Sequence, residues 1–162
     1  MARVYLETSF FSACVSTRSD VKSAHRHATT LEWWNAQSSR HALYVSAEVL
    51  AELSDPVYPH SEAALAWARR RTTAIPITAE VLGLATILVE HKVMPKPVAG
   101  DAIHVAVAAV HGIEYVLSWN VRHLANPNKL RHLQSICLRS GLVAPQIITP
   151  ELLWEDDDDN SG

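Results

Sequence analysis

Four short segments, far apart in the chain, carry side chains suited to metal-assisted hydrolysis. Glu7 stands in Tyr-Leu-Glu-Thr-Ser, Glu48 and Glu52 in Val-Ser-Ala-Glu-Val-Leu-Ala-Glu-Leu, Asp101 in Gly-Asp-Ala-Ile-His, and Asn120 in Val-Leu-Ser-Trp-Asn. Carboxylates forced together repel: a like-charged pair at i, i+4, such as Glu48 and Glu52, already costs roughly 0.2–0.5 kcal/mol on a helix. A hard divalent cation removes that repulsion, and oxygen-only ligands select Mg²⁺ or Mn²⁺. Such an ion can hold a phosphodiester, activate water and stabilise the leaving oxygen. Asp101, at the start of a helix, is expected to stay ionised because the helix dipole favours an anion there.

Other chemistries lack their residues. No phosphate-binding glycine loop follows any apolar run, and five glycines leave little room for one. Gly-x-Ser-x-Gly and Cys-x-x-Cys are both missing, which excludes a nucleophile elbow and thioredoxin-like redox chemistry. The phosphoryl-accepting Asp of many α/β regulators has no counterpart, since Glu7 fills the end of the first strand.

The elements that must position these acids can be read from periodicity. Strands are predicted at Arg3 to Glu7, Ala42 to Ser46, Ala74 to Thr78, Tyr115 to Ser118 and Gln146 to Thr149. Helical period runs through Lys22 to Ser38, Ala47 to Leu53, Ser61 to Arg71, Ala79 to His91, Asp101 to His111 and Asn128 to Ser140. Breakers separate them: Pro56 and Pro59, Pro95 and Pro97, and Gly112. The alternation predicts an α/β domain with a mostly parallel, about five-stranded sheet over 1–153, followed by an acidic, disordered tail over 154–162. In such a sheet ligands bind beyond the carboxyl ends of the strands. Glu7, Ser46 and Asn120 fall at those ends.

Composition is compatible with this chemistry. The chain has 162 residues, 48% of them apolar, with 14 basic and 17 acidic side chains. That is enough to build one core without staples. The net charge of −3 argues mildly against a nucleic-acid substrate, but five acids crowd positions 155–159. Without them, 14 bases face 12 acids, and nine histidines stand in reserve. Two widely separated cysteines in no ligand spacing suggest a reducing, cytoplasmic compartment. Neither a signal peptide nor a membrane span is expected.

Taken in order, 5–9, 45–53, 100–108 and 115–120 resemble a PIN domain of the VapC toxin type over nearly the whole chain apart from the tail. The resemblance implies a three-layer α/β/α sandwich and a Mg²⁺- or Mn²⁺-dependent endoribonuclease. It also implies the toxin of a type II toxin–antitoxin system, with a small antitoxin partner and a homodimeric state. By position, Glu7 matches the family's first acid, Glu52 the second and Asp101 the third. Asn120 falls where many members place a further Asp, and Thr8, Ser9 and Ser46 match small hydroxyl positions. Glu7 for Asp and the neutral Asn120 depart from the common pattern, but Glu-Thr-Ser with Trp-Asn is a recurring variant. They motivate an alternative: a weak or inactive PIN domain serving as an RNA- or protein-binding module.

Other features have plainer readings. His104 shares a helix face with Asp101 and is expected to pack behind the site, not to bind metal. Arg69 to Arg71 read as a solvated helix end, with RNA contact second. Trp33 and Trp34 suggest a packing or dimer surface, and Trp119 core or rim. His25 and His27 are too isolated to be a zinc site.

Overall fold

The computed structural model describes residues 1–156. Five strands, β1 (Arg3–Leu6), β2 (Ala42–Val45), β3 (Thr72–Ala74), β4 (Tyr115–Leu117) and β5 (Gln146–Ile148), form one sheet in the order β3-β2-β1-β4-β5. Every pairing is parallel, with Tyr5 opposite Tyr44 on one side and Val116 on the other. Val4, Tyr5 and Leu6 are all fully buried. That unbroken burial is what a central parallel strand covered on both faces requires. The helices are α1 (Thr8–Val15), α2 (Val21–Gln37), α3 (Ala47–Leu53), α4 (Ser61–Ala68), α5 (Ala79–Glu90), α6 (Asp101–Val110), α7 (Val121–Leu124) and α8 (Pro127–Arg139). Together they make the expected α/β/α sandwich.

Three local differences have physical causes. Helix α1 was not expected from Thr-Ser-Phe-Phe, a stretch of modest helix propensity. Tertiary burial overrides it: Phe10 and Phe11 are fully buried, and Phe10 meets Trp33 edge-on at 5.6 Å. Helix α4 stops at Ala68, not Arg71, because Arg71 takes a left-handed φ of 52° that turns the chain into β3. Strand β3 therefore starts earlier than predicted, and its last ladder bond is Ile75 N–H to Val45 O at 2.9 Å. Pro76 has no N–H to continue it. Helix α6 was expected to bury one stripe, yet Ala102 through Ala109 are all buried. Packed against α5, α3 and β4, it is apolar nearly all round.

The C-terminal segment is sewn to α2. Trp33 Nε1 donates to Leu153 O at 2.7 Å, and Gln37 exchanges two hydrogen bonds with the Glu155 backbone, at 3.0 and 2.9 Å. Trp33 and Trp34 are both core residues. Trp154 and Glu155 open the stretch read as a tail, and 157–162 lie outside the described residues. Among the described residues no helix is long and apolar enough to cross a membrane.

Cys14 and Cys137 are free and buried. Burial pushes the Cys14 thiol up to about 12 and raises Cys137 as well. Since the thiolate is the reactive form, neither should be alkylated by iodoacetamide at pH 8 within minutes in the native protein. Both should react in denaturant. Mass spectrometry reads the difference, and native labelling at the rate of a free thiol would contradict the packing.

Candidate functional site

The sheet order places a topological switch at β1. The chain leaves β1 toward β2 and β3, then returns to its other side with β4. The crevice beyond the carboxyl ends at that point is where an open α/β sheet binds ligands. A cleft of about 490 Å³ lies there, lined among others by Glu7, Ser9, Arg26, Glu52, Tyr58 and Asn120.

Glu7 follows β1 directly and is 2% exposed. Its Oε2 caps α1 by accepting Ser9 N–H at 3.0 Å, and it also accepts the Ser9 and Ser118 hydroxyls, the latter at 2.8 Å. Each serine in turn accepts a backbone N–H from the turn after β4. Trp119 donates to Ser9 Oγ at 2.8 Å and Asn120 to Ser118 Oγ at 2.9 Å. These relayed bonds polarise one another toward the carboxylate. Among the described residues, none donates a hydrogen bond to Glu7 Oε1.

Glu52, near the end of α3, has its Oε1 held by Thr8 Oγ1 at 3.0 Å and by His104 Nε2. Among the described residues, none donates to its Oε2. Burial raises the Glu52 pKa, but the bond and charge of His104 and the Thr8 hydroxyl outweigh it and hold the carboxyl below its usual range. Glu48, one turn earlier, accepts Gly100 N–H at 2.7 Å and so ties down the approach to α6. Asn120 is exposed and precedes α7 without capping it through its side chain.

Asp101 begins α6, half-buried, with no hydrogen bond or ion pair to any of the described residues. Burial pushes its pKa up and Glu52 adds to this, while His104 and His123 oppose. Desolvation is the largest influence on this shift. The cleft thus gathers Glu7, Glu52 and Asn120, whereas Asp101 sits beside Glu52 and His104 at its margin. Among the described residues, no three His, Cys, Asp or Glu side chains are close enough to enclose a metal ion.

Sequence comparison with family models and with curated proteins finds no match. Structure comparison does. VapC20 of Mycobacterium tuberculosis, a sarcin-ricin loop cleaving toxin, superposes with a TM-score of 0.56 at 22% identity, over 75% of this chain and 93% of that one. The DNA-bound VapBC of Salmonella typhimurium gives a TM-score of 0.57 at 14% identity, over 93% of this chain and 99% of that one. VapBC2 of Rickettsia felis, bound to a promoter DNA fragment, gives 0.54 at 16% identity, over 77% and 93%. The fold is that of a VapC-type PIN domain.

Within this PIN-like fold, several residues in or behind the cleft escaped the sequence reading. Ser118 precedes the Trp-Asn pair and looked like ordinary strand end; its role depends on meeting Glu7 across 111 positions. Arg26 lies in a polar helix face with no distinguishing neighbour. Its guanidinium rests over the buried Trp119 ring, 5.4 Å from the centroid, and reaches the Trp119 carbonyl at 3.5 Å. Tyr58, in the loop after α3, is pushed up to about 12 by burial and by the charges of Glu7 and Glu52. The Arg69–Arg71 run is partly engaged: Arg70 lies over Trp67 at 4.5 Å and Arg71 donates to Ser38 Oγ at 3.1 Å.

Proposed function

We propose that this chain is a Mg²⁺- or Mn²⁺-dependent endoribonuclease and the toxin of a toxin–antitoxin pair, acting in the cytoplasm as a homodimer restrained by a small antitoxin. The observation that carries this is the cleft at the β1/β4 switch of a VapC-type fold, where Glu7 and Glu52 each keep one oxygen without a partner among the described residues. Mg²⁺ usually retains several waters and takes only one or two protein carboxylates together with substrate phosphate. The donor set here suits that mode, and the unpaired carboxylate of Asp101 adds negative charge that a cation would offset. Glu7 and Glu52 would hold the ion, with Asp101 contributing charge from beside Glu52. Once bound, it supplies Lewis acidity toward the phosphodiester and a more acidic water.

The chain's own residues do the rest. Ser9 and Ser118 fix Glu7 Oε2 by their hydrogen bonds. Asn120 offers an uncharged amide at the mouth, able to orient the attacking water. Arg26 and Arg18, both lining the cleft, supply positive charge for flanking phosphates.

The test is cleavage of short RNAs by the purified chain, freed of any partner. We expect hydrolysis with Mn²⁺ or Mg²⁺ that stops on chelation. Divalent affinity weaker than millimolar, with RNA still bound, would favour the non-catalytic binding module instead.

A further inference from the structure

Behind Glu52 lies a buried line of hydrogen bonds that the proposed chemistry does not use. His104 in α6 is fully buried and does not line the cleft. Its Nε2 faces Glu52 Oε1, and its Nδ1 lies 2.7 Å from the Tyr5 hydroxyl. That hydroxyl also meets Ser46 Oγ at 2.8 Å. Because an ionised carboxylate oxygen only accepts, Nε2 carries the proton and donates it. The line therefore has one direction at its working end, and every ring nitrogen of His104 is occupied.

We infer that His104 is a positioning residue that sets the Glu52 carboxylate for its cation, anchored from behind by Tyr5 and Ser46. The inference rests on the proposed ligand role of Glu52. A glutamate on a seven-residue helix, with its side chain 36% exposed, would otherwise sample several rotamers. Two donors on one oxygen, His104 and Thr8, remove that freedom and leave Oε2 as the free face of the group. The anchor is stiff because Tyr5 belongs to the central strand and Ser46 follows its neighbour β2, so the ring cannot shift without disturbing the sheet. Metal-ligating groups are characteristically held from behind in this way, and losing the outer partner typically lowers metal affinity about 10–100-fold.

The experiment is a calorimetric Mn²⁺ titration of the metal-free full chain and its His104→Leu, His104→Gln and Tyr5→Phe variants, each with a melting curve. His104→Leu should bind Mn²⁺ about 10–100-fold more weakly. His104→Gln, which keeps an N–H for Glu52, should recover most of that loss even if both variants melt at the same lowered temperature. Equal affinity in wild type and His104→Leu overturns the inference, as does an equal loss in Leu and Gln variants, which would mark a purely structural role. If His104→Leu does not fold, Tyr5→Phe decides: a several-fold weaker affinity supports the line and an unchanged one overturns it. A wild type that binds no Mn²⁺ instead brings down the ligand assignment of Glu52, a failure distinct from loss of the His104 effect alone.

Discussion

Asp101→Asn should lower RNA cleavage by on the order of 100-fold or more while making the metal-free protein more stable at neutral pH. The two effects have one origin. Asp101 is a half-buried carboxylate at the first position of α6, with no hydrogen bond or ion pair among the described residues. Burial, with a contribution from Glu52, raises its pKa in the folded state. A carboxyl whose folded pKa lies above its unfolded value, about 3.9, favours folding most below that value. The contribution is lost as pH rises through the folded pKa. At pH 7 the ionised group is therefore a liability that a cation, not the protein, offsets. Replacing it with Asn should raise the melting temperature at pH 7 by roughly 2–4 °C, a gain that fades toward pH 3.5. Cleavage equal to wild type would remove Asp101 from the site, and a lower melting temperature at pH 7 would contradict its unpaired state.

Trp33→Ala should be the most damaging single change in the core. Trp33 is fully buried, stacks on His41 at 5.9 Å with rings 7° apart, meets Phe10 edge-on and donates to Leu153 O. Truncating a buried Trp costs about 3–5 kcal/mol, which for a chain of this size lowers the melting temperature by roughly 6–20 °C. The same change removes the donor that holds the C-terminal segment on α2. Limited proteolysis should then clip near residue 153 before the body unfolds. A melting temperature within 2 °C of wild type would show that the Trp33 packing contributes little.

Much of the architecture was legible because its determinants are local. Apolar runs marked four of the five strands closely, β4 after Gly112 and β5 between Pro145 and Pro150, and strand–helix alternation implied parallel pairing. Errors came where a distant contact outweighed local preference. Helix α1 forms because Phe10 and Phe11 find Trp33, and β3 shifts because the turn at Arg71 and the missing N–H of Pro76 bound its pairing with β2.

The same division applies to the site. Sequence alone placed Glu7 and Asn120 at the ends of the first and fourth strands, because a strand's end follows from where its apolar run stops; that these strands are neighbours came from the sheet order. It also put Asp101 at the start of a helix. It favoured Glu52 over Glu48 by motif position alone, since residues one turn apart share a helix face, and their separate surroundings depend on how α3 docks. Tertiary structure turned Glu48 toward Gly100 N–H and Glu52 toward the cleft, Thr8 and His104. It alone brought Ser118 to Glu7 and Tyr5 to His104, contacts spanning 111 and 99 positions. Hydrogen-bond partners that remote leave no periodic or compositional trace; they exist only once the sheet order has set β1 between β2 and β4.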